Sequence, residues 1–459
     1  ERLGMDKPGL VKLVKRGIDA RERPPLFNCT VDVELPPEFD SEDALRRLGE
    51  NARLAPAAPS LTCDARGQEP LRGRVVVVGS GPAGGFAAWV LALNGYKPLL
   101  IERGQPALAR LKRIGLFNAR RVDLDPEDNA LFGEGGAGSF SDGKLYTSNR
   151  DPFIPRVLET FVDCGAPERI LVDAAPHVGT DVLSRVVVSM RSRIEAMGGE
   201  VRFGARLTGV ELADGRLRAI EINGARQECG ALVLAVGHSA RDTYEMLLAR
   251  GVALQAKPFQ MGVRIEHPQS FIDRAQLGRF ARDRRLTPAS YDLACRAPGA
   301  PELFSFCMCP GGITIAAVSE RGCLNTNGMS FSVQASGFAN SALVTTFDPS
   351  EFGQAPLAGI EFQRRYERLA FEAGGSDYTC PAQPVSHFLR LLNSPRPLKG
   401  TYARGRRYIE LAPLLPEKLV RALRANLPLF DKRIHGFISD QAVLHAIEAP
   451  GSRVKTPVE

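Results

Sequence analysis

Residues 75–84 read Val-Val-Val-Val-Gly-Ser-Gly-Pro-Ala-Gly. Four β-branched residues run into Gly79-x-Gly81-x-x-Gly84, and a helical segment follows. This order predicts a buried parallel strand, a tight turn and a helix whose free N–H groups face a pyrophosphate. Gly79 permits the turn, Gly81 lets a phosphate reach the backbone, and Gly84 lets helix and strand pack closely. Ser80, Pro82 and Ala83 complete the loop. Leu99-Leu100-Ile101 predicts the next strand, and Glu102 ends it 23 residues after Gly79. That is close to the roughly 20-residue offset of a carboxylate that holds a ribose hydroxyl. An acid there disfavours a 2′-phosphate, so the residues point to FAD or NAD rather than NADP.

The chain has 459 residues, 44% hydrophobic and 24% charged, as in an ordinary globular protein of two or three domains. Residues 75–93 carry no charge, but four glycines and a proline exclude a membrane span. Nine scattered cysteines without a Cys-x-x-Cys pair argue against a disulfide framework and for a reducing compartment. A cytoplasmic location is the expectation, with an organelle stroma as the alternative because the sequence begins at Glu1. The net charge is +7, yet residues 390–433 alone carry +8. A solvated basic face explains this, and recruitment of an anionic substrate or of nucleic acid is the alternative.

Three blocks follow from the pattern. Residues 1–70 read as a small N-terminal α+β unit, helix then strand over 8–35, with a linker carrying a short helix near Glu42–Gly49. Residues 71–256 read as a Rossmann-like α/β domain. It includes a helix over 181–197, a hairpin turning at Asp214-Gly215 and a strand Ala231–Val236 ending at Gly237. Residues 257–459 read as a mostly antiparallel α+β domain with strands near Met261–Ile265, Leu303–Cys309, Ile313–Val318 and Leu343–Phe347. A second glycine cluster, Gly133-Glu-Gly-Gly-Ala-Gly138, runs into Ser139-Phe-Ser-Asp-Gly-Lys144. No strand precedes it, so it predicts a loop for close approach to a flat or anionic group.

Other candidates carry less. His238 follows the strand-end glycine, where active-site groups gather in open α/β sheets. Arg264 and Glu266 share a strand face and are expected to pair at the surface. Cys307 and Cys309 fall on one face of a strand and are expected to be structural. No Cys/His spacing suits zinc, so no metal site is expected.

Together the segments GIDARERPPLFNCTVDVEL (17–35), VVVGSGPAGGFAA (76–88), FGEGGAGSFSDGKL (132–145), VGHSARDTYEML (236–247), KPFQMGVRIEHPQ (257–269), SFCMCPGG (305–312) and PLAGIEFQR (356–364) carry a resemblance. The chain resembles the predicted FAD-dependent dehydrogenases, a branch of the glutathione-reductase-like flavoproteins. The resemblance implies FAD. Gly79, Gly81 and Gly84 would hold its pyrophosphate, Glu102 with Arg103 its ribose, and the strand at Arg206-Leu207 its adenine. Gly135, Gly136, Gly138, Ser139 and Lys144 would lie near the ribityl chain and the isoalloxazine, with Gly237-His238 closing over the cofactor. Lys144, as a cation near the flavin, and His238, as an acid/base or hydrogen-bond donor, are the catalytic candidates.

The implied activity is an FAD-dependent oxidoreductase acting on a small organic substrate by hydride transfer at flavin N5. With a single dinucleotide motif, NAD(P)H enters as a transient reductant, or the substrate itself supplies the electrons. The resemblance also implies a glycine-rich return segment, and the sequence stops at Glu459 before one. Two alternatives remain: an RNA-modifying flavoprotein using the basic stretch, and a truncated, non-catalytic flavin-binding paralogue.

Overall fold

The computed structural model describes residues 10–21, 24–36, 40–55, 58–63, 67–68, 70–71, 73–145, 151–392, 398–449 and 454–455. Parts of the expected linker, residues 8–9 of the expected N-terminal helix and most of the 450–459 tail lie outside them. The chain divides into two compact units: residues 1–61 with 144–178, and residues 62–143 with 179–459. Segment 144–178 therefore groups with the N-terminal residues, whereas the sequence pattern had assigned it to the nucleotide domain.

In the smaller unit the expected helix-then-strand is a hairpin. Strands β1 (Val11–Asp19) and β2 (Leu26–Val33) pair antiparallel, Val11 opposite Val33 and Asp19 opposite Leu26. Val11, Val14 and Ile18 are β-branched and favour extended backbone, and pairing with β2 overrides the weak helical spacing. The helix Ser41–Leu48 forms as expected; the Asp40 carboxylate accepts from the Glu42 N–H at its start. Arg16 donates to Asp173 at 2.9 Å, tying β1 to the 144–178 segment.

The larger unit holds the parallel sheet. Strands β3 (Val75–Val78), β4 (Leu99–Ile101), β5 (Glu200–Arg202) and β9 (Ala231–Leu234) lie in the order β5-β4-β3-β9. Crossovers leave β3 in opposite directions, so a crevice opens at the carboxyl ends of β3 and β9. All four residues of β3 are buried, and Val76, Val78, Leu99 and Ile101 pack with Leu207, Val210, Ile220 and Leu247. The expected hairpin is β6 (Leu207–Ala213) against β7 (Arg216–Ile222), with β8 (Ala225–Glu228) as a third strand. Asp214 and Gly215, at φ +53° and +69°, make its turn, in the left-handed region a two-residue hairpin loop requires.

The second sheet is built from β11 (Phe259–Pro268), β12 (Ala294–Cys295), β13 (Leu303–Cys309), β16 (Phe338–Phe347), β17 (Cys380–Pro384), β18 (Arg406–Tyr408) and β19 (Val443–Glu448). Their order is β12-β13-β16-β11-β19-β17-β18, antiparallel throughout except β17 with β18. A two-stranded ribbon, β14 (Ile313–Ala316) with β15 (Thr326–Met329), accompanies it, and a short pair, β10 (Gln255–Ala256) with β20 (Val454–Lys455), completes the strands.

Three expectations about this sheet are corrected. Arg264 and Glu266 are not a surface pair: both are fully buried. Arg264 instead engages Glu448 through Nε and Nη2 at 2.5 and 2.6 Å, with Asn340 Oδ1, Asn327 Oδ1 and the Cys307 carbonyl accepting from its other N–H groups. Every guanidinium hydrogen is thereby used, which makes its burial tolerable. Glu266 accepts from Thr401 and faces His445 at 3.2 Å. Cys307 and Cys309 do not follow simple alternation, because the register shifts between Phe306 and Cys309 and Cys307 sits at φ +47°. In the basic stretch, Arg404 is buried rather than solvated. It donates to the Asp377 carbonyl at 2.8 Å and to the Phe117 carbonyl, and stacks 4.2 Å above the Phe117 ring. Residues 393–397 of that stretch lie outside the described residues. Among the described residues no helix is long and apolar enough to cross a membrane.

Candidate functional site

The crevice at β3 and β9 is a cleft of about 530 Å³. Its floor is the turn the sequence singled out. Gly79 has φ +98°, and a Cβ there would lie 2.4 Å from the Ala235 carbonyl oxygen. Gly84 presses on the same turn: its Cβ would fall 1.8 Å from the Gly79 oxygen. Gly81 differs: a Cβ there would meet nothing nearer than the Gly136 Cα at 3.8 Å, and the residue lines the cleft. The helix Pro82–Leu93 begins at Gly81 with no side chain capping it. Its first N–H groups and the positive end of its dipole thus face the cleft, as an anion would require.

Glu102 lines the cleft but is only 4% exposed. Its Oε2 accepts from the Ser80 N–H and hydroxyl, both at 2.8 Å, and its Oε1 from the N–H groups of Gly104 and Gly133 at 3.0 and 2.9 Å. One carboxylate therefore fastens three loops: the glycine turn, the exit of β4 and the start of the second glycine cluster.

That cluster is not a mobile surface loop. It folds as a 3₁₀ turn, Gly136–Phe140, directly on the first: Gly135 N–H donates to the Ser80 carbonyl at 3.0 Å, and a Cβ on Gly136 would lie 2.9 Å from Gly81 Cα. Gly136, Ala137 and Gly138 line the cleft. Buried beneath, Arg110 donates to the carbonyls of Asn129 and Glu134 at 2.8 Å each. The Glu134 carboxylate accepts from Arg191 at 2.7 Å and from the Ala107 N–H at 2.8 Å. These supports were not foreseen; Arg110 lies in a helix whose sequence shows nothing to separate it from its exposed neighbours.

The opposite wall comprises Ala205–Leu207, Leu234–Ala240 and Tyr244. Tyr244 donates to the Gly237 carbonyl at 3.0 Å. His238 lines the cleft half-buried, and burial with the nearby Arg241 charge lowers its pKa to about 4, so the imidazole is neutral at pH 7. Arg241 fixes this wall to the helix Ala358–Gly374 and to Glu320. It donates to Glu367 at 2.7 and 2.8 Å, to Glu320 at 2.6 Å and to Gln363 at 3.3 Å. Glu320, Cys323 and Glu367 bring three ligand-type atoms within 4.8 Å of one another, but Arg241 engages both carboxylates and Arg364 also holds Glu320. Burial and those carboxylates push the Cys323 thiol up to about 12.

Of the expected site residues, the cleft gathers Gly79, Gly81, Pro82, Ala83, Glu102 and Arg103 on one side. Gly136, Gly138, Leu207, Gly237 and His238 complete it. Ser80, Gly84, Gly135 and Ser139 do not line the cleft; Ser139 donates to the Glu134 carbonyl. Lys144 belongs to the smaller unit, where it forms a bridge with His177.

An elongated dinucleotide fits these walls: an uncapped helix start for phosphate, an open glycine beside it, a carboxylate one strand away and an apolar strand beyond. Residues 258–451 match the family model "FAD-dependent protein, C-terminal domain-like". The whole chain is 41% identical to an uncharacterized protein of Clostridium beijerinckii, covering 86% of it. Over 49% of its length it is 25% identical to the protein FixC of Salmonella typhi, again covering 49% of that protein. Among solved structures, the glycerol-3-phosphate dehydrogenase of Bacillus halodurans complexed with FAD gives a TM-score of 0.29 at 13% identity, over 61% of this chain and 48% of that enzyme. The amino acid oxidase NikD gives 0.27 at 14% identity, over 60% and 71%. At such scores neither structure is a guide to this one. The full-length relative shows that the chain belongs to one family with that Clostridium beijerinckii protein, and residues 258–451 carry the C-terminal domain of FAD-dependent proteins, with FAD as the cofactor.

Proposed function

We propose that this protein is an FAD-dependent oxidoreductase acting on a small organic substrate, with the cofactor held in the cleft at β3 and β9. The observation that carries this reading is the continuity of the wall. The uncapped helix start at Gly81, Glu102, Leu207, Gly136–Gly138 and Gly237-His238 all line one cleft. When bound, FAD supplies a two-electron carrier that exchanges hydride at N5.

The chain's own residues do the rest. The N–H groups that open the helix Pro82–Leu93 receive the pyrophosphate, and Gly81 leaves it room. Leu207, which lines the same cleft, would lie against adenine. Gly136 and Gly138 give the cofactor a backbone surface without side chains. Neutral His238 offers one donor and one acceptor nitrogen at the cleft wall, which suits orientation of the cofactor or movement of a single proton. NAD(P)H or the substrate is the electron donor in this reading.

A spectrum of the purified protein is the test. Bound flavin that bleaches on addition of NADH, NADPH or an organic substrate is the expected result. Absence of flavin, with no thermal shift on adding FAD, would refute the proposal.

A further inference from the structure

Arg103 directly follows Glu102 at the end of β4, and its guanidinium lies 4.3 Å above the Phe132 ring. It is clasped between two acids. Nε and Nη2 donate to Glu127 at 2.7 and 2.9 Å, and Nη1 and Nη2 to Asp242 at 2.9 Å each. Arg206, just before β6, donates to the same Glu127 oxygen at 2.9 Å and stands 3.8 Å from Asp242. Both arginines line the cleft beside Leu207, whereas neither acid lines it.

Two guanidiniums side by side at a ribose would form a phosphate site, because their planar forks match phosphate oxygens. Here each positive charge has a carboxylate partner, and Glu102 adds a further acid. A phosphate arriving at this point would have to break bonds to Glu127 and Asp242 and accept their repulsion.

We propose that Glu127 and Asp242 are specificity-determining residues of the cleft: by occupying Arg103 and Arg206 they exclude adenine nucleotides that carry a phosphate on the ribose 2′-hydroxyl. This inference rests on the cofactor reading above. It gives the arrangement a use, since NADPH supplying electrons would not compete for the FAD cleft.

The test compares two probes that differ by one phosphate, AMP and adenosine 2′,5′-bisphosphate, titrated calorimetrically into the flavin-free full chain. Wild type is expected to bind AMP about tenfold or more tightly than the bisphosphate, and Glu127→Gln with Asp242→Asn to close that gap by about tenfold or more. The exposed single change Asp242→Asn, expected to move the ratio in the same direction, serves if the double variant does not fold. A wild type that binds both probes equally, or variants with the wild-type ratio, would overturn the inference and leave the cofactor reading standing. If wild type binds neither FAD nor AMP, both fall.

Discussion

Replacing Glu102 by glutamine separates two roles for this carboxylate. A ribose ligand would be dispensable until the cofactor arrives. The clasp seen here is needed by the protein alone, because four donors converge on a side chain that is 4% exposed. In Glu102→Gln one acceptor oxygen becomes an NH₂ group. Turned towards Gly104 and Gly133, it opposes two N–H groups that have no alternative. Turned towards Ser80, it lets the hydroxyl rotate to accept but leaves the Ser80 N–H unpaired. The second orientation is cheaper. It costs about 1–3 kcal/mol for one unsatisfied buried N–H, and about 1 kcal/mol more for charge-assisted bonds made neutral. A loss of about 2–4 kcal/mol is expected in the flavin-free protein. The chain's single tryptophan, Trp89, lies in the helix that starts at Gly81 and reports on this unit. With a slope of about 2 kcal/mol per molar, its urea midpoint should fall by about 1–2 M. An unchanged midpoint accompanied by lost FAD affinity would refute the clasp and restore a ribose-only role.

Gly81→Ala should leave flavin-free stability within about 1 kcal/mol, since its Cβ has room, while weakening FAD binding by about tenfold or more. Gly84→Ala should instead prevent folding, because its Cβ falls 1.8 Å from a backbone oxygen; soluble, flavin-loaded G84A would contradict the packing described. Gly85→Ala should stabilise by about 1 kcal/mol, for its Cβ meets only the Met190 sulfur at 3.7 Å and a helix gains from alanine; a lower urea midpoint would count against this. Burial lowers the pKa of His267 to about 4, against the pull of the Phe437 carbonyl and Glu266. Between pH 6.5 and 4 the unfolded chain therefore binds a proton that the native fold refuses. Stability should fall by about 3 kcal/mol as pH drops through that window, then level. Urea melts of His267→Gln should show a shallower slope there, and an unaltered slope would assign the acid sensitivity elsewhere.

Local patterns were legible wherever the physics is local. Val75–Gly84 and Leu99–Glu102 carry strand, turn and acid within thirty residues, and Asp214-Gly215 names its own turn. The second glycine cluster was legible as a close-approach loop. What its glycines approach first was not: Gly136 meets Gly81, and Gly133 meets Arg110. Misreadings arose where a distant partner decides. Arg264 and Glu266 look like exposed charges until Glu448 and His445 arrive on β19. Val11–Asp19 has residues a helix would accept, and only pairing with β2 makes it a strand. The alternation that would put Cys307 and Cys309 on one face fails at a bulge that no single residue announces.

The Arg264–Glu448 pair carries a kinetic consequence. These partners stand 184 residues apart, and β11 and β19 are adjacent near the middle of the seven-stranded sheet. Until residues 443–448 arrive, β11 holds an open edge and a guanidinium with no counter-charge. Closing so long a loop delays the step that joins the two halves of the sheet, and such non-local pairing is slow by nature. During that interval the exposed edge can recruit a strand from another chain. Yield on refolding should therefore depend on protein concentration, through competition between this late strand and its neighbours in solution.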